Sequence, residues 1–399
     1  MLNVNALSDS RLFFDVLTRQ RIAAVAGWLV NSTLLLTITA CTSAGREAMP
    51  TPIATAAPSY YPAIDSALGE RLQPEEHVLA EEISRVIERS LRERYAPGSI
   101  QRDAHPKAHG CVRAELQISE TLPSALSHGV LVPGARYPAW IRFSNGSQDA
   151  TRPDSRGDAR GMAIKLHGLR GTALISETDW QASGATQDFV LISHPVFFAN
   201  DPRRYLAFVT HASSDSALGK LLIPIDLGLK GALIALATSR KKISNPLQTR
   251  YFSTVPYQLG LGPSRQAVKY SVRACLTTKD PAPANRGPNF LRDALRKTLE
   301  DRDVCMEFLV QPRTSPAMSV EDSMTEWSEK QAPFFKVATI HIPSQTFDTP
   351  EQNAFCEKLS FSPWHALPEH RPLGSTNRLR KVIYENISRV RHEASSDVP

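Results

Sequence analysis

Cys111-Val112-Arg113-Ala114-Glu115-Leu116-Gln117-Ile118 is the stretch whose pattern decides the fold. Val112, Ala114, Leu116 and Ile118 fall on one face, and Arg113, Glu115 and Gln117 on the other. Alternation with period two describes a strand with one side on a core. Residues 139–144 repeat it, with Ala139, Ile141 and Phe143 opposing Trp140, Arg142 and Ser144. Residues 162–166 alternate again. Residues 188–198 are almost continuously apolar, as in a strand buried on both faces. Further strands are expected over 269–276, 304–310 and 335–342. About seven strands joined by long loops predict a sandwich or a barrel. The 29 prolines against 20 glycines agree with long irregular loops.

Helical periodicity flanks this region. Residues 75–95 place Val78, Leu79, Ile83, Val86, Ile87 and Leu91 at helical spacing. Pro74 suits a helix start, and Glu81 with Arg85 and Glu88 with Arg92 predict ion pairs one turn apart. Residues 203–239 and 290–299 also read as helical. Residues 377–393 carry a stripe of Leu379, Val382, Ile383, Ile387 and Val390. No fixed-period repeat is present.

The chain has 399 residues, with 46 basic and 40 acidic side chains and a net charge of +6. Hydrophobic residues make up 42% and charged residues 22%, which excludes a disordered or fibrous chain. No concentrated basic run points to nucleic acid. Five cysteines (41, 111, 275, 305, 356) contain no CxxC pair, which excludes a zinc ribbon or thioredoxin motif. Arg19 and Arg21 precede an apolar run from 22 to 40, and Ile38-Thr39-Ala40-Cys41 resembles a bacterial lipobox. The alternatives are an uncleaved membrane anchor and a plain signal peptide. All three export the remainder. The expected organisation is therefore an export signal over 1–41, a Pro-rich tether over 42–74 and one domain over 75–399. The expected location is the bacterial envelope, on the exported side, held to the membrane by an N-terminal lipid or anchor.

Three clusters could carry chemistry. Arg380, Tyr384 and Arg391 lie within roughly 40° of one another on a helix wall at 3.6 residues per turn. A guanidinium one turn from a phenol favours the phenolate, which is a good ligand for ferric haem iron. A surface tyrosine among solvated arginines would look the same. In Arg102-Asp103-Ala104-His105-Pro106-Lys107, Pro106 disfavours a helix through His105. That argues against a metal-binding pair with His109 on one helix face. In residues 140–144, Arg142 and Ser144 share a face with Trp140. They either meet a polar ligand or lie on the wet side of an edge strand.

Taken together, these segments resemble the haem catalase superfamily. RDAHPK (102–107) is similar to the family's R-x-x-H-x-K, and WIRFSNG (140–146) to its V-R-F-S strand. SRGDARGMAIKLHG (155–168) resembles R-D-x-R-G-F-A-x-K. DFVLISHPVFFANDPRRY (188–205) resembles D-L-V-x-N-N-x-P-V-F-F-x-x-D-P. Residues 353–384 resemble the run that ends in the proximal R-x-x-x-Y. The resemblance covers about 75–393. AHGCVRAEL and RPLGSTNRLR look closer to the short bacterial catalase-related branch, near the coral allene oxide synthase.

The resemblance implies an α+β fold, an antiparallel eight-stranded β-barrel with surrounding helices, holding haem b. It implies that His105 moves a proton between peroxide oxygens and that Ser144 orients it. Tyr384 would be the iron ligand and Arg380 would hold it as phenolate. Arg102, Arg142 and Arg391 would bind the propionates. Phe197 and Phe198 would form the apolar haem wall, and Tyr205 an aromatic on the distal side. The family's Asn-Asn pair is Ile192-Ser193 here, with Ser193 or His194 as weak substitutes. Ala104 precedes the histidine where catalases have Val and the allene oxide branch has Thr. Ile387 stands where the proximal Y-x-x-T has Thr. The implied function is a haem-dependent oxidoreductase, a weak catalase or peroxidase on hydrogen peroxide or organic peroxides. The alternatives are a fatty-acid hydroperoxide lyase or synthase and a non-catalytic haem-binding envelope protein. Expected partners are a peroxide and the membrane, without nucleic acid; homo-oligomerisation is left open.

Overall fold

The computed structural model describes residues 60–175, 184–214, 216–275 and 286–396. The expected export signal over 1–41 lies outside the described residues. Ala54–Pro399 forms one compact unit. Among the described residues it holds its own buried clusters, and a unit with its own core can fold alone.

In chain order the elements are α1 (Glu76–Arg94), β1 (Ala108–Ile118), β2 (Arg136–Asn145), β3 (Arg160–Leu169) and β4 (Ala185–Ile192). Then follow α2 (Pro202–Ala212), α3 (Ala217–Ser239), β5 (Tyr251–Phe252), β6 (Tyr257–Leu259) and β7 (Gln266–Ala274). The chain ends with α4 (Phe290–Asp301), β8 (Val304–Pro312), β9 (Phe335–Ile342), α5 (Pro350–Lys358) and α6 (Ser375–Ser396).

Eight strands close a ring in the order β1-β2-β3-β4-β5-β7-β8-β9, and β9 returns to β1. Every pairing is antiparallel. β5 closes it with two residues: Phe252 pairs with Ile192 on one side and Ser271 on the other. β6 adds a ninth strand against β7 alone. Closure removes the exposed edges that an open sheet would have to protect. The fold is thus α+β with an antiparallel eight-stranded barrel.

The alternation in β1 is realised. Val112, Ala114, Leu116 and Ile118 are buried in the barrel core with Ile141, Phe143, Ile164, Phe189, Val272, Phe308 and Ile340, while Arg113 is exposed. β2 is a central strand between β1 and β3, so Arg142 and Ser144 are not on a wet edge; both are buried. A second core joins α1, α2 and α6 through Ile83, Ile87, Leu91, Val209, Leu379, Ile383 and Val390. Glu88 pairs with Arg92 at 2.8 Å.

Four expectations need correction. The helix expected over 203–239 is two helices, because the chain turns between Ala212 and Ala217, and Gly228 (φ 66°) bends the second. The strand expected over 188–198 starts at Ala185 and stops at Ile192, before Pro195, which has no N–H for a ladder. Val78 is exposed rather than in the helix stripe. Residues 60–74 are not a tether: Tyr61 and Leu68 are buried, and Glu70 bonds Arg371 and Arg378.

Cys111 pairs with Cys356 and Cys275 with Cys305. The first bridge ties β1 to α5; Cys41 lies outside the described residues.

Candidate functional site

A cavity of about 470 Å³ opens between strands β2, β3 and β4 and helices α1, α2 and α6. His105, Ser144, Arg102, Arg142, Phe197, Phe198, Tyr205, Arg380, Tyr384 and Arg391 all line it. Residues spread over 290 positions of sequence therefore meet in one place.

His105 sits on the loop before β1 with φ +64°, a backbone region costly for a non-glycine residue. Its Nδ1 lies 2.9 Å from Ser144 Oγ. When Nδ1 donates to that hydroxyl, Nε2 keeps its lone pair. Both groups rest on Gly161 of β3, where an added Cβ would come 2.5 Å from His105 Nδ1 and 2.6 Å from Ser144 Oγ. A larger residue there would push the pair apart. Burial, then the Arg142, Arg380 and Arg102 guanidinium groups, lower the imidazole to about 4. His105 is therefore neutral at neutral pH and able to accept a proton.

One end of the cavity is cationic. Arg102 bonds the Glu357 carboxylate and donates to the Leu359 carbonyl at 2.6 Å. Arg391 donates to the Glu357 carbonyl at 2.5 Å and to the Leu359 carbonyl at 3.1 Å. These carbonyls end α5, where the helix dipole favours cations. Arg142 donates to the Pro106 carbonyl at 3.1 Å, and its Nε has no partner. Burial, then Arg102, hold its affinity for a proton well below the usual guanidinium value, with Glu357 opposing. Three guanidinium groups thus share one carboxylate, Glu357, an arrangement that attracts a ligand anion.

The other walls are apolar and aromatic. Phe197 and Phe198 are 4.4 Å apart between ring centroids, and Tyr205 lies 5.8 Å from Phe197. Burial raises the Tyr205 hydroxyl well above its ordinary range, with Asp103 and Tyr384 adding to it. On α6, Arg380 precedes Tyr384 by one turn. The Arg380 guanidinium lies 5.6 Å from the Phe197 centroid, and its Nη1 has no partner. Among the described residues no hydrogen bond joins Arg380 to the Tyr384 hydroxyl.

The Ser193 expectation does not hold. Ser193 is fully buried, its Oγ accepts the Arg160 N–H at 3.0 Å, and neither it nor His194 lines the cavity. His109 is also outside. Its Nε2 lies 2.9 Å from Asn145 Oδ1 behind β2, and burial lowers it to about 3.

Sequence reasoning missed Asp103, Gln148, Gly161 and Glu357. Asp103 and Gln148 line the cavity, and Gln148 Nε2 donates to Asp103 Oδ1 at 2.8 Å. Burial pushes the Asp103 carboxyl up to about 6, against Arg94 and Gln148. Its signal was available, since a carboxyl stands inside the RDAHPK motif. Glu357 had none, because α5 lacks an apolar stripe.

No protein-family model and no curated protein sequence matches the chain. Solved structures do. A fungal catalase matches at 18% identity and TM-score 0.58, over 73% of this chain and 59% of its own. Catalase A from Saccharomyces cerevisiae matches at 19% and 0.56, over 73% and 61%. A bacterial catalase matches at 18% and 0.59, over 84% and 64%. The protein has a catalase-like fold. It spans less than two thirds of each of these catalases.

Proposed function

We propose that the protein binds haem b in this cavity and acts as an oxidoreductase on hydrogen peroxide or organic peroxides. The observation that carries the reading is the neutral His105–Ser144 pair in a largely apolar cavity that Arg102, Arg142 and Arg391 also line. The residues fit the group. The unpartnered Arg142 Nε and Arg380 Nη1 await acceptors, flat aromatic walls suit a macrocycle, and a phenol reaches the cavity from α6. Arg102, Arg142 and Arg391 would hold the propionates and Tyr384 the iron, and Arg380 would favour the ionised Tyr384 oxygen.

When bound, haem supplies the redox chemistry that peroxide cleavage requires. The chain's own work is proton movement and exclusion of water. His105 Nε2 takes the proton from one peroxide oxygen and returns it to the other, so that water or an alcohol leaves. Ser144 keeps the ring in one orientation. Phe197, Phe198 and Tyr205 exclude bulk water from the reacting oxygens. Export to an oxidising envelope fits the two disulfides.

A second reading, a non-catalytic haem-binding envelope protein, draws support from Ser193, whose hydroxyl is turned away from the cavity. Oxygen release and organic-peroxide consumption by the haem-loaded chain separate the two. The first reading expects turnover that falls by about 10²–10⁴ in His105→Ala. Turnover unchanged in that variant would end the His105 role, and none in the parent would favour the second reading.

A further inference from the structure

Helix α3 carries its apolar stripe on the outside. Leu218, Leu221, Ile225, Leu229, Leu233 and Leu236 are exposed by 67, 72, 71, 80, 57 and 44%. Steps of three and four place Leu218, Leu221 and Ile225 on one face before the Gly228 break, and Leu229, Leu233 and Leu236 on one face after it. Exposed apolar patches beyond a few hundred Å² mark interaction surfaces. The opposite face is fixed to the body through buried Leu227, Gly231 and Thr238. At Gly231 an added Cβ would lie 2.6 Å from the Phe198 carbonyl oxygen, so the helix is in close contact with the cavity wall.

Among the described residues, α3 alone is long and apolar enough to cross a membrane. It cannot do so as folded. Gly228 (φ 66°, ψ 172°) breaks it in the middle, and its only acidic residue, Asp226, is held 2.7 Å from His211 on α2. It can only lie along a surface. The far end of the stripe is basic, with Arg240 and Lys242 exposed just beyond it; Lys220, also exposed, lies on the wall opposite Leu218.

We propose that the outer face of α3 docks into the interface of a lipid bilayer bearing anionic headgroups. Its leucines would enter the headgroup–acyl boundary, and Arg240 and Lys242 would meet lipid phosphates. Charge decides against the other occupants. Two copies of α3 laid face to face in parallel bring Arg240 and Lys242 onto the same pair of the second copy. The chain's own apolar run over 22–40 has Arg19, Arg21 and Arg46 around it and no acidic residue between 16 and 46. The proposal is independent of the reaction proposed above.

The test uses the full chain with Ile225→Trp, and separately Leu229→Trp, on phosphatidylcholine–phosphatidylglycerol vesicles with brominated acyl chains. The parent's five tryptophans give the baseline. Docking predicts that the added fluorescence is quenched and that sedimentation of the 54–399 unit with these vesicles weakens about fivefold for each charge lost in Arg240→Gln and Lys242→Gln. Added fluorescence that stays unquenched in vesicle-bound protein overturns the proposal. So does an added tryptophan already shielded without lipid, in a dimer or in the full chain but not in 54–399; these results would assign the face to a second copy or to the chain's own N-terminal segment.

Discussion

Asp103 is the residue at which this cavity's electrostatics are most exposed to test. Its carboxyl is pushed from 3.8 up to about 6 by burial. A raised carboxyl holds its proton longer in the folded chain than in the unfolded one. Stability from this group is therefore full below about pH 4 and declines as pH rises through about 6. Asp103→Asn removes the penalty. Denaturant unfolding of the haem-free chain should show the variant more stable than the parent by about 1–3 kcal/mol at pH 8. The two should converge toward pH 4; an equal gap at both pH values would contradict the assigned shift. The residue scale is also where the sequence was least complete. Histidine, serine and arginine positions were legible because motif residues stand at fixed offsets. The direction of the Ser193 hydroxyl was not, because the Arg160 backbone on a neighbouring strand sets it.

Between elements, Arg378 is the most constrained link. It is fully buried at the start of α6 and bonds Glu76 at 2.7 Å, Glu70 at 2.8 Å and Glu321 at 3.1 Å. Glu76 in turn accepts the Tyr61 hydroxyl at 2.7 Å. One guanidinium thereby ties α6, which carries Arg380 and Tyr384, to α1 and to the segment before it. Removing it leaves the buried Glu76 carboxylate without its cation, which costs about 3–5 kcal/mol, while Glu70 keeps Arg371. Arg378→Ala should lower the unfolding free energy by that amount, read from denaturant curves. A change under 1 kcal/mol would mean that the network relaxes around the loss. Such links were invisible in sequence, where Arg378 is one arginine among several in 371–391. Long elements were legible: β1, β2 and α6 have enough residues for their period to show. β5 and β6 have two and three residues, too few for any period, although β5 closes the barrel. The α2–α3 break was missed because the composition around it reads as helical on either side.

At the largest scale described, the unit over 54–399 is a closed barrel with a helical layer, and its site lies where the two meet. Neither the barrel core nor the α1–α2–α6 core contains the cavity's cations. Two of these, Arg102 and Arg391, are gathered by a third device, the carbonyls at the end of α5, itself tied to β1 by Cys111–Cys356. Alternation in the sequence left a sandwich and a barrel equally open; the resemblance chose the barrel, and Phe252, paired on both sides, completes it. The central claim is that this arrangement holds haem by a phenol from α6. Its most direct test is the absorption spectrum of the full chain titrated with haem, beside that of Tyr384→Phe. The account predicts saturable binding near one haem per chain and a spectrum that changes in the variant, with binding weakened. No saturable uptake by the parent, or an identical spectrum and affinity in Tyr384→Phe, would contradict it.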